Sequence, residues 1–152
     1  MKKVVLATGG FDPLHSGHIE YLKCAASMGD VLIVGLNSDD WLTRKKGRPF
    51  QNYYEREQIV SNLGFVHNVI NFDDHDDTAI EAILKVKRFY KNDHIIFANG
   101  GDRDKNNIPE AEIFKSDTWI DFEYGVGGHL KKNSSSNLLE KWVTNQTERP
   151  WG

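Results

Sequence analysis

The feature that most constrains this chain is a buried-strand pattern that runs directly into a turn with two histidines. Residues 4–7 are apolar and rich in β-branched side chains, and Gly9 and Gly10 end the run. This pattern is typical of a central parallel strand, and open α/β sheets bind ligands beyond the carboxyl ends of such strands. The turn that carries His15 and His18 is therefore predicted to lie at the mouth of a ligand site.

A helix is predicted to start at this turn. Ile19, Leu22 and Ala25 recur at helical spacing, which places both histidines at the helix start and on one side of it. The imidazoles and the first N–H groups are then expected to point at one anion, and Gly17 allows close approach of a phosphate. The alternatives are a surface pair or half of a zinc site. Zinc is disfavoured because the single cysteine, Cys24, falls on the apolar face.

Composition favours one domain and disfavours several classes of protein. The chain has 152 residues, 39% of them hydrophobic, which is enough for one core. A net charge of −3 gives no basic field for nucleic acid. No apolar run reaches the ~18 to 20 residues that cross a bilayer, so no membrane partner is expected. The chain begins with a strand rather than a leader, which predicts a cytoplasmic location.

Strands and helices are predicted to alternate along the chain, which indicates an α/β, Rossmann-like, doubly wound parallel sheet in a single domain. The domain is assigned to residues 1–143 and a polar tail to residues 144–152. After the first helix, strands are predicted at residues 31–36, 67–72, 94–98 and 119–124, and helices at residues 54–63, 78–90, 110–115 and from residue 134. Residues 43–49 are predicted to form a basic loop.

The segment at residues 4–18 resembles the HxGH signature of the nucleotidyltransferase superfamily, which includes cytidylyltransferases and adenylyltransferases. The resemblance covers nearly the whole chain. It implies transfer of a nucleoside monophosphate from CTP or ATP to a phosphorylated small acceptor, with release of pyrophosphate. His15 and His18 would be catalytic, and Mg²⁺ would bridge phosphate oxygens, with no protein ligand to the metal predicted. The nucleotide-binding residues expected in this segment are Thr8, Gly9, Gly10, Phe11 and Gly17.

Four cations fall within residues 44–48, a set that suits a triphosphate, although a solvated surface loop has the same composition. The resemblance implies that a lysine here contacts the phosphates, and the sequence does not decide between Lys45 and Lys46. It also implies that Arg56 reaches toward the phosphates from the following helix. The alternative for Arg56 is an exposed arginine paired with a neighbouring glutamate.

Two later segments resemble the family's remaining motifs. Asn99-Gly100-Gly101-Asp102-Arg103 resembles the GGD turn of sugar-phosphate adenylyltransferases and the GDD turn of glycerol-phosphate cytidylyltransferases. Asp102 is expected at a ribose, an acceptor hydroxyl or a magnesium-bound water. Ser134, Ser135 and Ser136 resemble the serine motif that binds the β and γ phosphates at the last helix. An ordinary Gly-Asp turn and a plain helix cap are the alternatives.

The sequence indicates the type of reaction but leaves two candidates for the phosphorylated acceptor. Residues 72–78 resemble heptose 1-phosphate adenylyltransferases, whereas the chain length and the helix with Arg56 resemble glycerol-3-phosphate cytidylyltransferases. Neither ATP nor CTP is favoured. Asp39 and Arg103 are predicted to bind the acceptor.

Three further expectations concern alternatives and assembly. An adenylyltransferase for a larger phosphorylated acceptor, FMN or phosphopantetheine, would need an apolar pocket. A non-catalytic nucleotide-binding regulator would keep the fold and lose the chemistry. The resemblance also implies a homodimer. The aromatic side chains of Trp142 and Trp151 are expected either to pack on a partner subunit or to fold back on their own chain.

Overall fold

The computed structural model describes residues 1–101 and 108–128, together with residues 139, 140 and 143. Its elements follow the predicted alternation of strands and helices. In chain order they are β1 (Lys3–Gly9), α1 (Ser16–Ala26), β2 (Val31–Leu36), α2 (Asp39–Lys46), α3 (Tyr53–Ser61), β3 (Asn68–Ile70), α4 (Ile80–Phe89), β4 (His94–Gly100), α5 (Pro109–Ile113) and β5 (Ile120–Val126). The start of the predicted last helix and the tail at residues 144–152 lie outside the described residues.

The five strands form one parallel sheet in the order β3-β2-β1-β4-β5. The chain first moves outward from β1 through β2 to β3, and then returns to the other side of β1 with β4. This reversal places a topological switch point between the carboxyl ends of β1 and β4, where open α/β sheets bind ligands. The prediction of a doubly wound parallel sheet is confirmed.

Apolar side chains cover both faces of the sheet. Along β1, Val4 and Leu6 pack into one core with Ile83 of α4, while Val5 and Ala7 pack into the other. The second core includes side chains of α1 and α3. A central strand that is buried on both faces has a continuous run of apolar residues. This explains why apolar and polar residues do not alternate along β1 and β2. Among the described helices, none is long and apolar enough to cross a membrane.

The predicted basic loop at residues 43–49 is wrong, because most of it belongs to α2. The Ser38 hydroxyl accepts the Trp41 N–H at 3.0 Å and caps the helix, and two aspartates occupy the first turn. Gly47, with φ 95°, ends the helix. Leu42 is the buried residue of α2, so the helix has too narrow an apolar face to produce a periodic pattern.

Candidate active site

The two histidines of the HxGH turn stack on each other at the N-terminus of α1. His15 is the N-cap, and its Nδ1 accepts the N–H groups of Gly17 at 3.1 Å and His18 at 3.4 Å. The Nδ1 of His18 accepts the His15 N–H at 3.2 Å, which completes a reciprocal capping box. The ring centroids are 3.7 Å apart with an interplanar angle of 19°. The prediction that both histidines lie on one side of the helix start is confirmed.

These hydrogen bonds fix which ring nitrogen carries the proton. Because each Nδ1 accepts a backbone N–H, the proton of the neutral imidazole lies on Nε2 in both His15 and His18. The sequence analysis expected the first N–H groups of the helix to point at an anion. In the structure, those of Gly17 and His18 are instead bound by Nδ1 of His15, and Nε2 of His15 is buried.

The residues before the histidines support the turn by internal packing. Phe11 is buried, has φ 50° and contacts the His18 ring edge-on at a centroid distance of 5.0 Å. A Cβ added at Gly9 would lie 3.0 Å from the Phe11 ring, and one at Gly10 would lie 2.9 Å from Leu42. These glycines therefore leave room for Phe11 and α2, and their predicted role in nucleotide binding, like that of Thr8, stays a prediction.

Lys46 is joined to the catalytic turn through a buried aspartate. Its Nζ lies 2.9 Å from Oδ2 of Asp12 and donates to the Asp12 carbonyl oxygen at 2.6 Å. The Asp12 carboxylate also accepts the N–H groups of Phe50 and Gln51, each at 2.7 Å. Asp12 therefore fixes the end of α2 and the start of the α3 segment against the turn. The sequence analysis did not assign Asp12 a role, because its partners are 34 to 39 positions away.

The other cations of the basic segment have different surroundings. Arg44 donates to Oδ1 of Asp77 at 3.0 Å and to the Asp74 carbonyl at 2.7 Å. Lys45 is exposed, and its Nζ lies 4.7 Å from the centroid of the Trp41 ring. Of the two predicted lysines, Lys46 is thus engaged by a buried carboxylate and Lys45 faces solvent.

Arg56 is fully buried at the junction of three loops. Its Nη1 donates to the carbonyl oxygens of Gly10 at 2.9 Å and Asn37 at 2.8 Å, and its Nε donates to that of Gln51 at 3.0 Å. Nη2 lies 2.7 Å from Oδ1 of Asp39. The alternative of an exposed arginine is wrong. The predicted contact with phosphates stays a prediction, and in this structure Arg56 ties the catalytic turn to the end of β2.

A cavity of about 420 Å³ opens beside this junction, at the carboxyl ends of β2 and β3. Its polar lining includes Asp39, Tyr53, Asn71, Asp73, Glu81 and Lys85. Asp39 was predicted to bind the acceptor, and the structure places it on the cavity wall. Asp73 and Glu81 were not predicted as site residues. The acidic run at residues 73–77 is the only sequence feature that could have indicated Asp73. Glu81 lies outside this run in the sequence and comes next to Asp73 only in the folded chain.

Other predicted site residues fall outside the structure's description. Asp102 and Arg103 come shortly after the end of β4 in the sequence, but they are not among the described residues, and neither are Ser134, Ser135 and Ser136. Their predicted roles stay predictions.

A family model for cytidylyltransferase-like proteins matches residues 6–134, from the middle of β1 to the first of the three serines. The chain belongs to the cytidylyltransferase-like family. The family resemblance predicted from the sequence is confirmed.

Similar proteins come from several organisms. This cytidylyltransferase-like chain is 40% identical over 126 residues to the bifunctional protein HldE of Campylobacter concisus, which covers 82% of this chain and 25% of that protein. It is 39% identical over 142 residues to HldE of Campylobacter jejuni subsp. jejuni, and this match covers 92% of this chain and 28% of that protein. The chain thus spans about a quarter of the length of these curated relatives.

A solved structure gives an independent comparison. The lipopolysaccharide core biosynthesis protein of Thermoplasma volcanium superposes with a TM-score of 0.65 and is 27% identical, over 88% of this chain and 100% of that one.

The two candidate lysines are distinguished by a matched pair of variants. We expect Lys46→Met to lower the free energy of unfolding by about 2 to 3 kcal/mol, because it leaves the buried Asp12 carboxylate without its cation. Because Lys45 is exposed, we expect Lys45→Met to change the free energy of unfolding by less than about 1 kcal/mol and to raise the KM for the nucleotide about tenfold. Urea unfolding and steady-state kinetics measure the two effects. Equal stability of the two variants would contradict the engagement of Lys46 by Asp12.

Tyr53 on the cavity wall keeps its proton to unusually high pH. Burial and the nearby Glu57 carboxylate raise the pKa of Tyr53 to about 12 from 10.0. Above pH 10.0 the unfolded chain therefore loses this proton before the folded chain does, and stability falls as the pH rises to about 12. We expect Tyr53→Phe to reduce this alkaline loss of stability, measured by urea unfolding along a pH series. The control is Tyr54→Phe, which removes an exposed hydroxyl from the adjacent position, and an identical pH profile for both variants would contradict the assignment.

Proposed function

We propose that this chain transfers a nucleoside monophosphate from a nucleoside triphosphate to a phosphorylated sugar and releases pyrophosphate. The stacked pair of His15 and His18 carries the proposal, because the reciprocal capping box holds both rings together in the turn that follows the carboxyl end of β1. In such a displacement, an oxygen of the acceptor's phosphate attacks the α-phosphorus and pyrophosphate leaves. The protein has to position the reactants and stabilise the charge that develops on the phosphates.

Three residues in or near the turn, His15, His18 and Lys45, have proposed parts in this reaction. The Nε2–H groups of the two histidines donate to the α-phosphate and the leaving group, and Lys45 binds the β and γ phosphates. Within residues 1–101 and 108–128, no cluster of acidic, histidine or cysteine side chains is arranged to hold a metal. On the family resemblance, we propose that Mg²⁺ would bind through the phosphates of the nucleotide, where it would supply charge neutralisation.

A sugar phosphate is the acceptor class that the cavity supports best. FMN or phosphopantetheine would call for an apolar pocket, whereas this cavity carries three carboxylates and a lysine. One structural relative is a protein of lipopolysaccharide core biosynthesis, a name that points to saccharide chemistry. Of the two branches that the sequence resembles, we therefore propose the sugar-phosphate branch, for which ATP is the donor.

Pyrophosphate release tests the proposal. The chain is assayed with Mg²⁺ and with ATP or CTP in turn, against heptose 1-phosphate, glycerol 3-phosphate, FMN and 4′-phosphopantetheine. We expect release only with ATP and heptose 1-phosphate. Release with CTP and glycerol 3-phosphate would move the chain to the other branch, and no release with any pair would favour a non-catalytic regulator.

We also propose a homodimer and a cytoplasmic location. The family resemblance alone supports the dimer, and sedimentation velocity tests it. A monomer at micromolar concentration would overturn that part of the proposal.

A further inference from the structure

Asp74 is a buried carboxylate that no step of the proposed reaction uses. It is 4% exposed and lies in the loop between β3 and α4. Among the residues that the structure describes, no lysine, arginine or histidine forms an ion pair with this carboxylate. A buried charge without a cation has to be compensated by hydrogen bonds, so the groups that donate to Asp74 are held firmly in place.

Three donors from the end of β2 and the start of α2 compensate the Asp74 carboxylate. Oδ2 accepts the side-chain amide of Asn37 at 3.0 Å and the Ser38 N–H at 2.8 Å, and Oδ1 accepts the Ser38 hydroxyl at 2.7 Å. Ser38 is the N-cap of α2, so the carboxylate also lies at the positive end of that helix dipole. Asp74 therefore fixes the point at which the chain leaves β2 and enters α2.

The hydrogen bonds of Ser38 favour a carboxylate at position 74. The Ser38 oxygen accepts the Trp41 N–H at 3.0 Å, and the single proton of the hydroxyl is donated to Asp74. An asparagine side chain has only one oxygen, so one of its two ends would present N–H groups to these donors. Asp74→Asn is therefore expected to loosen the N-terminal cap of α2 without leaving a cavity.

The same helix carries the lysine that is proposed to bind the β and γ phosphates. The ring of Trp41 packs against the catalytic turn, since a Cβ added at Gly10 would lie 3.4 Å from it. The Nζ of Lys45 lies 4.7 Å from the centroid of this ring. A continuous series of contacts thus runs from the buried carboxylate through the Ser38 cap and the Trp41 ring to the ammonium group.

We infer that Asp74 is a positioning residue for phosphate binding, because it fixes the first turn of α2 and, through this turn, the place of the Lys45 ammonium. A lysine ammonium is a point charge on a flexible stem, so its place depends on the helix that carries it and on the ring over which it lies. The inference rests on the proposed function, in which Lys45 binds the β and γ phosphates. In this role Asp74 itself contacts no substrate.

The test compares two nucleotides that differ only in the β and γ phosphates. Isothermal titration calorimetry with Mg²⁺ gives the dissociation constants of ATP and AMP, and CTP and CMP replace them if the chain binds CTP instead. The triphosphate preference is defined as the constant for AMP divided by that for ATP. A defect that is only structural weakens both nucleotides alike and leaves this preference unchanged.

Two variants interrupt the series of contacts at successive steps. We expect Asp74→Asn to reduce the triphosphate preference about fivefold, with the fold retained by circular dichroism. Ser38→Ala removes the hydroxyl that joins Asp74 to the Trp41 N–H, and it should reduce the preference to a similar extent. A preference that stays at the wild-type value in both folded variants would overturn the inference.

The matched control is Asp77→Asn. Asp77 lies in the same loop and pairs with Arg44 of α2, but both side chains of this pair are exposed. Asp77 has φ 64°, a conformation that asparagine tolerates. We therefore expect the triphosphate preference of this variant to change by less than about twofold. A loss as large as that of Asp74→Asn would contradict the specific role of the buried carboxylate.

A double variant tests whether Asp74 acts through Lys45. Lys45→Met alone is expected to reduce the triphosphate preference about tenfold. Asp74→Asn combined with Lys45→Met should reduce it no further, because the group that Asp74 positions is then absent. A further loss of about fivefold in the double variant would show that the two residues act independently, and the inference would be wrong.

The outcomes separate the inference from the proposed function. If Lys45→Met lowers the triphosphate preference and Asp74→Asn does not, the inference is wrong and the proposed role of Lys45 stands. If Lys45→Met leaves the preference unchanged, the proposed phosphate contact fails and the inference fails with it. A wild-type chain that binds neither triphosphate more tightly than its monophosphate overturns both.

Discussion

Replacing His18 with alanine is expected to lower kcat by about two orders of magnitude or more, with the fold retained. The Nε2–H of His18 is a preorganised donor, and removing one such donor costs about 10²- to 10³-fold in other enzymes. The loss should fall on kcat more than on the nucleotide KM, because the developing charge is stabilised in the transition state. Steady-state pyrophosphate release measures kcat and the nucleotide KM, and circular dichroism checks that the fold is retained.

Two further variants control for structural effects. His18 also accepts the His15 N–H through Nδ1, so alanine removes a cap along with the donor. His18→Asn keeps a side-chain acceptor at the cap without the imidazole and should lose as much activity. His67→Ala removes an exposed imidazole at the edge of the sheet and should leave kcat unchanged. Wild-type turnover by a well-folded His18→Ala variant would exclude the assigned role.

The parts of the molecule that sequence predicts well are local in the chain. The apolar runs of β1 and β2 and the helical spacing after His18 gave the sheet and the start of α1 correctly. The stacking of the histidines follows from their three-residue separation on a helix. These features depend on neighbours within one turn or one strand, so a pattern of residue types is sufficient to find them.

The parts that sequence missed depend on distant partners. An arginine on a helix is usually exposed, and nothing near Arg56 in the chain indicates that carbonyls from Gly10 and Asn37 surround it. The role of Asp12 is equally hard to predict from its neighbours in the chain, since its partners come from the end of α2 and the segment before α3. The cavity formed by Asp39, Asp73 and Glu81 likewise exists only once β2, β3 and α4 are assembled.

Arg56→Ala is expected to lower the free energy of unfolding by about 3 to 5 kcal/mol, since each buried polar group left without its partner costs about 1 to 3 kcal/mol. The substitution leaves three backbone carbonyl oxygens without their donor and Asp39 without its cation. Because the total free energy of unfolding of such a domain is only about 5 to 15 kcal/mol, the variant should unfold at a much lower urea concentration than the wild-type chain. Arg88→Ala is the matched control, since it removes an exposed, ion-paired arginine that should contribute less than about 1 kcal/mol.

Arg56→Lys separates the role seen in the structure from the one predicted from the sequence. A lysine keeps the charge but cannot reproduce the planar fork that reaches Gly10, Asn37 and Asp39 together. If Arg56 is a positioning residue, this variant loses stability and its kcat falls, because the turn with the histidines is no longer tied to β2. If Arg56 instead contacts the phosphates, stability is retained and the nucleotide KM rises. Its complete burial and four internal hydrogen bonds favour the first result.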